Sequence, residues 1–201
     1  MTRLFAVAAA LALLSVAVAV AARAPSARGA ARNAAPEVPP AQRDAIVDAL
    51  YRFGAGQDLR DRALFESAFA ADAVLDFIEP AKRVGGADIG VFAGRAAIAD
   101  TVFANIGALD TTHTVTNPRI TAYDGERATL IALVEAQHLP RGDHRRHLLL
   151  KNVYEVRLSR QGAQWVIDHM RIDNVWTSGD PAVLFPDAAT AADTATEPSH
   201  A

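Results

Sequence analysis

Apolar residues at the start of the folded chain recur at helical spacing. Ile46, Leu50 and Phe53 lie three or four residues apart, which predicts an amphipathic helix. Gly54 and Gly56 follow and are expected to loosen the end of this helix. A glycine-loosened end predicts that the next segment starts a new element.

Three further elements are predicted in the first half. A second helix is expected to begin at Asp58, with three apolar side chains along one face: Leu64, Phe65 and Phe69. A short strand over 74–79 and a glycine-rich loop over 85–90 follow. A third helix over 95–109 is predicted from apolar positions four residues apart: Ile98, Val102 and Ile106.

The second half changes to the two-residue period of strands. Long strands are predicted over 112–123, 126–139, 146–159 and 164–175. Asp124-Gly125 predicts a two-residue hairpin between the first two strands. Helices followed by an antiparallel meander predict a single α+β domain.

The two chain ends differ in composition from this domain. Arg3 precedes an unbroken apolar run over 4–22 that is rich in small residues, which is typical of a secretory signal peptide. An uncleaved anchor is the alternative, because about 20 residues span a bilayer. Export to the periplasm or the medium is expected either way. Residues 23–40 are interpreted as a disordered linker, 41–180 as the folded domain, and 181–201 as a mostly disordered tail.

Charge and cysteine content restrict the partners. The chain has 20 basic and 23 acidic residues, and the first 40 residues hold four of the Arg and one Glu, so residues 41–201 carry a net charge of −6. An acidic domain without a nucleic-acid motif is not expected to bind DNA or RNA, and beyond the targeting segment no membrane contact is expected. The absence of cysteine excludes a disulfide and a Cys-based zinc site.

Two histidines are predicted to share one face of the sheet. If Asp124-Gly125 forms a two-residue turn, His113 lies opposite Ala136, and His138 is its diagonal neighbour about 7–8 Å away. The same face carries small or apolar residues suited to a pocket floor: Val115, Asn117, Ala132 and Val134. A one-residue bulge at Pro118 would move His113 to the opposite face.

Four segments carry a family resemblance: ALYRFGAGQDLRD (49–61), FAADAVLD (69–76), HTVTNP (113–118) and QWVI (164–167). Together they resemble the SnoaL-like branch of the nuclear transport factor 2-like superfamily, and within it scytalone dehydratase and its relatives, over about residues 41–178. The resemblance implies a cone-shaped α+β barrel. In it, a curved mixed or antiparallel sheet and about three helices from the N-terminal half close an apolar pocket.

The resemblance also implies a catalytic set. The dehydratase aspartate and two histidines fall on Asp58, His113 and His138. Its two water-holding tyrosines correspond to Gln57 and Phe77, which argues against scytalone itself as substrate. In this set His113 is the general base, Asp58 orients it, and His138 protonates a leaving hydroxyl or carries a second proton.

Simpler interpretations exist for the same residues. Asp58 alone would be an N-cap with Asp61 three residues later, whereas in the catalytic interpretation Asp61 serves the helix end or an ion pair. His113 alone would be structural, and His138, close before Pro140, would be a half-exposed rim histidine. The predicted substrate-binding residues are Tyr51, Gln57, Phe77, Val115, Asn117, Val134 and Trp176, of which Asn117 could donate to a carbonyl or enolate oxygen.

The sequence predicts a cofactor-independent lyase or isomerase of dehydratase type. Its substrate would be a small apolar molecule that carries a carbonyl or hydroxyl group. No metal is expected, because Arg145 and Arg146 would repel a cation from the histidines of the 143–147 segment. A non-catalytic binding protein with the same fold is the alternative, and a hydrolase or dimerisation module is a third. A homo-oligomer, either dimer or trimer, is compatible with an open curved sheet.

Overall fold

The computed structural model describes residues 35–83 and 90–184. The predicted signal segment, the linker up to residue 34, most of the glycine-rich loop and the tail after residue 184 lie outside these residues. Within 35–83 and 90–184, no helix is both long enough and apolar enough to cross a bilayer.

The predicted helices and long strands occur in the predicted order, and a short helix and a short strand that were not predicted lie between the first strand and the helix expected over 95–109. The helices are α1 (Pro40–Asp58), α2 (Arg62–Ser67), α3 (Ile78–Arg83) and α4 (Arg95–Ile106). The strands are β1 (Phe69–Asp76), β2 (Val91–Ala93), β3 (Leu109–Tyr123), β4 (Arg127–Pro140), β5 (Leu148–Gln161) and β6 (Gln164–Gly179). A 3₁₀ turn follows at Pro181–Val183.

The strands form one curved mixed sheet in the order β2-β1-β6-β5-β4-β3. β1 and β6 are parallel, and every other pair is antiparallel. The core joins α1 to the inner face of the sheet, with Ile46, Leu50 and Phe53 in one buried cluster with Leu130, Val156 and Met170. The predicted cone-shaped α+β class is confirmed, with α3 as a fourth helix that the sequence pattern did not indicate.

The glycines of α1 lie inside the helix, so the prediction that they loosen its end was wrong. A Cβ added at Gly56 would lie 2.5 Å from the backbone nitrogen of Phe65. A Cβ at Gly54 would lie 3.1 Å from the Cβ of His113. The two glycines therefore let α2 and β3 approach α1 closely.

Asp58 ends α1 rather than beginning the second helix as predicted. The N-cap of α2 is Asp61, whose Oδ1 accepts a hydrogen bond from the Leu64 amide at 2.9 Å. The helix-end role predicted for Asp61 is thus confirmed. Asp58 does not cap α2.

The first strand is longer and earlier than the predicted 74–79. β1 starts at Phe69, which pairs with Ile167 of β6. It ends at Asp76, whose carboxylate accepts from the amide of Ile78 at the start of α3. The parallel partner of β1 lies about 100 residues away in the chain, so local periodicity did not mark the strand start.

The register of β3 and β4 places His113 opposite Ala136, as predicted, but by a different route. Tyr123 pairs with Ala128, so four residues separate the last paired positions of β3 and β4 instead of the predicted two. β3 has two bulges, one near Thr121 and one at 117–118. Each inserts one unpaired residue in β3 relative to β4 and so shifts the pairing by one residue toward the predicted register. The shifts cancel the longer loop, so both histidines stay on the inner face.

The tail also contributes to the domain. Val183 is buried beside Leu148 and Leu150, and Leu184 packs against the same cluster. The start of the segment predicted to be a mostly disordered tail is thus packed against the domain, while residues after 184 lie outside the described residues. Val38, placed in the predicted linker, is also buried in the core.

Gly56→Ala tests the close approach of α1 and α2. We expect the free energy of unfolding to fall by at least about 2 kcal/mol, because the new methyl meets Phe65 backbone that cannot turn aside. Gly107→Ala is the matched control, since its φ is −53° and its nearest contacts are ordinary, and it should change stability by less than about 1 kcal/mol. Urea unfolding of both variants measures this, and equal stabilities would contradict it.

Candidate active site

A cavity of about 90 Å³ lies between the helices and the inner face of the sheet. Most of its walls are apolar, and they include Phe53, Phe77, Phe92 and Leu150. The polar side chains in the lining are Gln57, Thr101, Asn105, His113, His138, Asn152 and Tyr154. A small and mostly apolar molecule with one or two polar groups fits such a lining.

Asp58 at the end of α1 is hydrogen-bonded to β3 in three places. Its Oδ1 lies 2.7 Å from His113 Nδ1, and its Oδ2 accepts from the His113 backbone amide at 2.7 Å. The hydroxyl of Thr111 donates to Oδ1 at 3.0 Å. Thr111 was not predicted from the sequence, although its place two residues before His113 on the same face of β3 could have indicated it.

These bonds determine the protonation of Asp58 and the tautomer of His113. Burial opposes ionisation of Asp58, but the hydrogen bonds and charge of His113, together with Thr111, hold its pKa below the ordinary value. An ionised carboxylate only accepts hydrogen bonds, so Nδ1 of His113 carries a proton. In the neutral ring Nε2 then holds the lone pair, and the His113 ring is part of the cavity wall.

His138 lies beside His113 but in a different environment. The two ring centroids are 6.2 Å apart and the rings are nearly perpendicular. His138 is only 6% exposed, so it is a buried residue and not the half-exposed rim histidine of the simpler interpretation. Its Nδ1 has no hydrogen-bond partner among the described residues. Burial, followed by the proximity of His113, lowers the pKa of His138 to about 4.

Only part of the predicted substrate-binding set reaches the cavity. Gln57 and Phe77 line it. The five residues outside the lining are Tyr51, Val115, Asn117, Val134 and Trp176. The structure therefore places these five residues outside the pocket wall in which they were expected.

Each of the five has a physical reason to lie elsewhere. Tyr51 is 49% exposed on the outer side of α1, and Trp176 is 46% exposed beside the Lys151 ammonium. Val134 is buried in the main core and Val115 packs against it. Asn117 occupies the β3 bulge with a φ of 52°, which turns it to solvent.

Two polar residues of β5 belong to the site although the sequence did not single them out. Asn152 and Tyr154 alternate with outward residues, and both are buried in the lining. Tyr154 packs its ring 6.0 Å from Phe53, which in turn lies 6.1 Å from His113. The two-residue period of β5 was visible in the sequence, but not which face looks inward.

The charged 143–147 segment lies apart from the cavity. His144 is hydrogen-bonded to Asp110 at 2.8 Å, and Arg145 and Arg146 pair with Asp143 and Asp180. In the part of the chain that the structure describes, no three His, Asp or Glu side chains are grouped as ligands of a metal ion.

Comparisons with known proteins agree with this architecture. The family model of the SnoaL-like domain matches residues 41–171. The terrestric acid biosynthesis cluster protein E of Penicillium crustosum is 34% identical over 148 residues, which cover 71% of this chain and 88% of that protein.

Two solved structures share the fold at low sequence identity. A candidate scytalone dehydratase from Novosphingobium aromaticivorans has a TM-score of 0.59 at 19% identity, covering 69% of this chain and 87% of that one. A type 2 hexachlorocyclohexane dehydrochlorinase has a TM-score of 0.58 at 19% identity, covering 69% and 88%. At such identities the likeness concerns the fold.

The lowered pKa of His138 predicts a pH-dependent stability. Between about pH 6.5 and 4, His138 is protonated in the unfolded chain but neutral in the folded protein. The free energy of unfolding therefore decreases as the pH falls through this window. Between pH 7 and 4.5 this residue should account for a loss of roughly 2 kcal/mol. We expect His138→Gln to lose less stability than wild type over that range in urea unfolding.

The control is His144→Gln, which alters an exposed histidine in the 143–147 loop. Because this variant keeps His138, it should lose more stability between pH 7 and 4.5 than His138→Gln does. Parallel curves for wild type and His138→Gln would show that His138 titrates like a histidine in water.

Proposed function

We propose, from the premise that this chain belongs to the SnoaL-like domain family, that it is a cofactor-independent lyase or isomerase of dehydratase type. The match to the family model and the 34% identity to the Penicillium crustosum protein confirm the sequence resemblance to that family. The observation that carries the proposal is the 2.7 Å pair of Asp58 and His113 in the wall of a mostly apolar cavity. A site that only stored an apolar molecule would not require a carboxylate-oriented imidazole.

His113 is the proton acceptor in the proposed reaction. Its Nε2 takes a proton from a carbon next to a carbonyl group, and the electrons of that C–H bond move into a new carbon–carbon double bond. Asp58 fixes the ring through Nδ1 and stabilises the imidazolium that forms. A hydroxyl then leaves from the next carbon with the electrons of its C–O bond, while the double bond shifts toward that carbon and the carbonyl re-forms. The proton held by His113 passes to the leaving hydroxyl, so the products are an enone and water.

His138 has a narrower role than the acid predicted from the sequence. With a pKa of about 4, His138 is neutral near pH 7. Only a very small fraction of the ring is then an imidazolium that could act as an acid. A neutral ring still donates one N–H hydrogen bond. We therefore assign to His138 the binding of the leaving oxygen, and to His113 the transfer of the proton.

The comparisons support this class of reaction without fixing the substrate. The names of the two structural neighbours, a scytalone dehydratase and a dehydrochlorinase, both describe eliminations. A hydrolase that holds its attacking water between paired carboxylates is less well supported. Among the cavity-lining residues that the structure describes there is no Asp or Glu, and Asp58 reaches the site through His113.

A non-catalytic carrier is the second candidate. The substitution of Gln57 and Phe77 for the two phenols of the dehydratase favours it, and the low exposure of His113 and His138 is compatible with ligand storage. A carrier would bind ketones or alcohols without moving any proton.

Solvent deuterium exchange tests the proposal on a panel of candidate substrates, because any ketone that His113 deprotonates will take up deuterium. Full-length protein is incubated in D₂O with β-hydroxy ketones and phenolic ketones, and α-deuteration and loss of water are followed by NMR. We expect Asp58→Asn to lower the rate at least about 100-fold and His113→Ala to lower it further, as for the removal of a general base. His138→Ala should slow water loss more than exchange.

His144→Ala is the control, since it removes a histidine outside the cavity and should leave both rates unchanged. Binding with no exchange in wild type would establish the carrier instead. Equal rates in wild type and His113→Ala would remove His113 from the mechanism.

Two further expectations from the sequence stay proposals. We propose export on the basis of the apolar segment 4–22, and a homo-oligomer on the basis of the open sheet. Cell fractionation of the native host and light scattering of the purified protein test them. Cytoplasmic retention would contradict the first, and a monomeric mass the second.

A further inference from the structure

We infer that the hydroxyl group of Tyr154 is the hydrogen-bond donor that receives the carbonyl oxygen of a ketone substrate. This inference rests on the proposed function and adds the group that would hold the developing enolate. It also names the substrate class more closely: a ketone whose carbonyl meets Tyr154 while its reacting carbon meets His113.

The first observation is where Tyr154 lies in the sheet. Tyr154 pairs with Ala132 of β4, whereas His113 pairs with Ala136 of the same strand. Their backbones are therefore about 13 Å apart along β4, at 3.3–3.4 Å per residue. Both side chains line one cavity, so a single small molecule can contact both.

The second observation is a chain of side-chain amides behind the phenol. Nδ2 of Asn174 is surrounded by three oxygen atoms: Asn152 Oδ1 at 2.8 Å, Trp176 O at 3.2 Å and Lys151 O at 3.4 Å. An atom among three acceptors must be the amide nitrogen, which fixes the orientation of Asn174. Asn174 therefore donates to Asn152.

The direction of that bond determines what the phenol can do. The carbonyl oxygen of Asn152 accepts from Asn174. Asn152 also lowers the pKa of Tyr154 against the effect of burial, as a donor to the phenol oxygen does. The phenol oxygen accepts, and its own proton is left for another acceptor. The hydrogen bonds that the described residues form around Asn152 and Asn174 do not use the Tyr154 hydroxyl as a donor.

A spare donor of this kind calls for a ligand. Tyr154 is 2% exposed, and a buried hydroxyl without an acceptor is unfavourable unless a ligand or water meets it. Burial also raises the pKa of Tyr154, so the group stays a neutral donor throughout the physiological range. Ketone oxygens accept hydrogen bonds and carry no proton of their own, which matches this donor.

The chemistry complements the Asp58–His113 pair. When His113 removes the α-proton, the C–H electrons form the carbon–carbon double bond and the carbonyl π electrons move to oxygen. The Tyr154 O–H then hydrogen-bonds the enolate oxygen without giving up its proton, and it bonds that oxygen more strongly than the ground-state carbonyl. Tyr154 thus supplies from β5 a phenol that positions 57 and 77 lack.

The test compares a ketone with its hydrocarbon. 1-Tetralone and tetralin differ by the carbonyl group, and Tyr154→Phe removes only the hydroxyl while keeping the ring against Phe53. We expect wild type to bind 1-tetralone with a lowered carbonyl stretching frequency in the infrared. Tyr154→Phe should bind it about five- to tenfold more weakly, as for the loss of one hydrogen bond, with the stretch unshifted. Tetralin should bind equally to both proteins, which also shows that the variant is folded.

Two further variants separate this inference from the proposed function. Tyr123→Phe removes a phenol outside the cavity and should behave as wild type. Asp58→Asn should lower the rate of deuterium exchange at least about 100-fold but leave the carbonyl shift in place. The two measurements therefore distinguish a failure of the acid–base proposal from a failure of the role of Tyr154. An unshifted carbonyl in wild type, or equal ketone affinity in wild type and Tyr154→Phe, would overturn the role of Tyr154.

Discussion

The hydrogen-bonded contact between Asp58 and His113 joins the end of α1 to β3, and the rest of the site depends on it. One carboxylate accepts from the backbone amide of His113, from its Nδ1 and from Thr111, so it binds the helix end to the sheet and orients the ring at the same time. Gly54 makes this approach possible, because a side chain there would press against the Cβ of His113. The Asp58–His113 contact therefore both holds α1 against β3 and orients the ring of the proposed general base.

The surroundings then give two neighbouring histidines different properties. His113 has a carboxylate partner, and its ring is fixed in the tautomer that leaves Nε2 unprotonated. His138, 6.2 Å away, is buried without a partner at Nδ1 among the described residues and is kept neutral. In the proposed reaction the carboxylate-paired His113 transfers the proton, and the unpaired His138 donates a hydrogen bond. If both histidines were charged in this small cavity, they would repel each other.

Much of this could be predicted from the sequence, and the failures have physical causes. The α+β class and the shared face of His113 and His138 were predicted, although the histidine register held only because two β3 bulges offset a longer hairpin loop. The bulges and the glycines inside α1 follow from contacts between segments distant in sequence, such as Gly54 with His113, which local periodicity does not contain. Tyr154 was missed for the same reason, because alternation in β5 gives two faces but not which one the helices cover.

¹⁵N NMR of the histidine rings in full-length protein near pH 7 tests the Asp58–His113 pair most directly. We expect His113 to be protonated at Nδ1 with Nε2 unprotonated, and Asp58→Asn to change the ring signals of His113 far more than those of the exposed His144. A neutral His113 protonated at Nε2, or a His113 spectrum unchanged by Asp58→Asn, would contradict it.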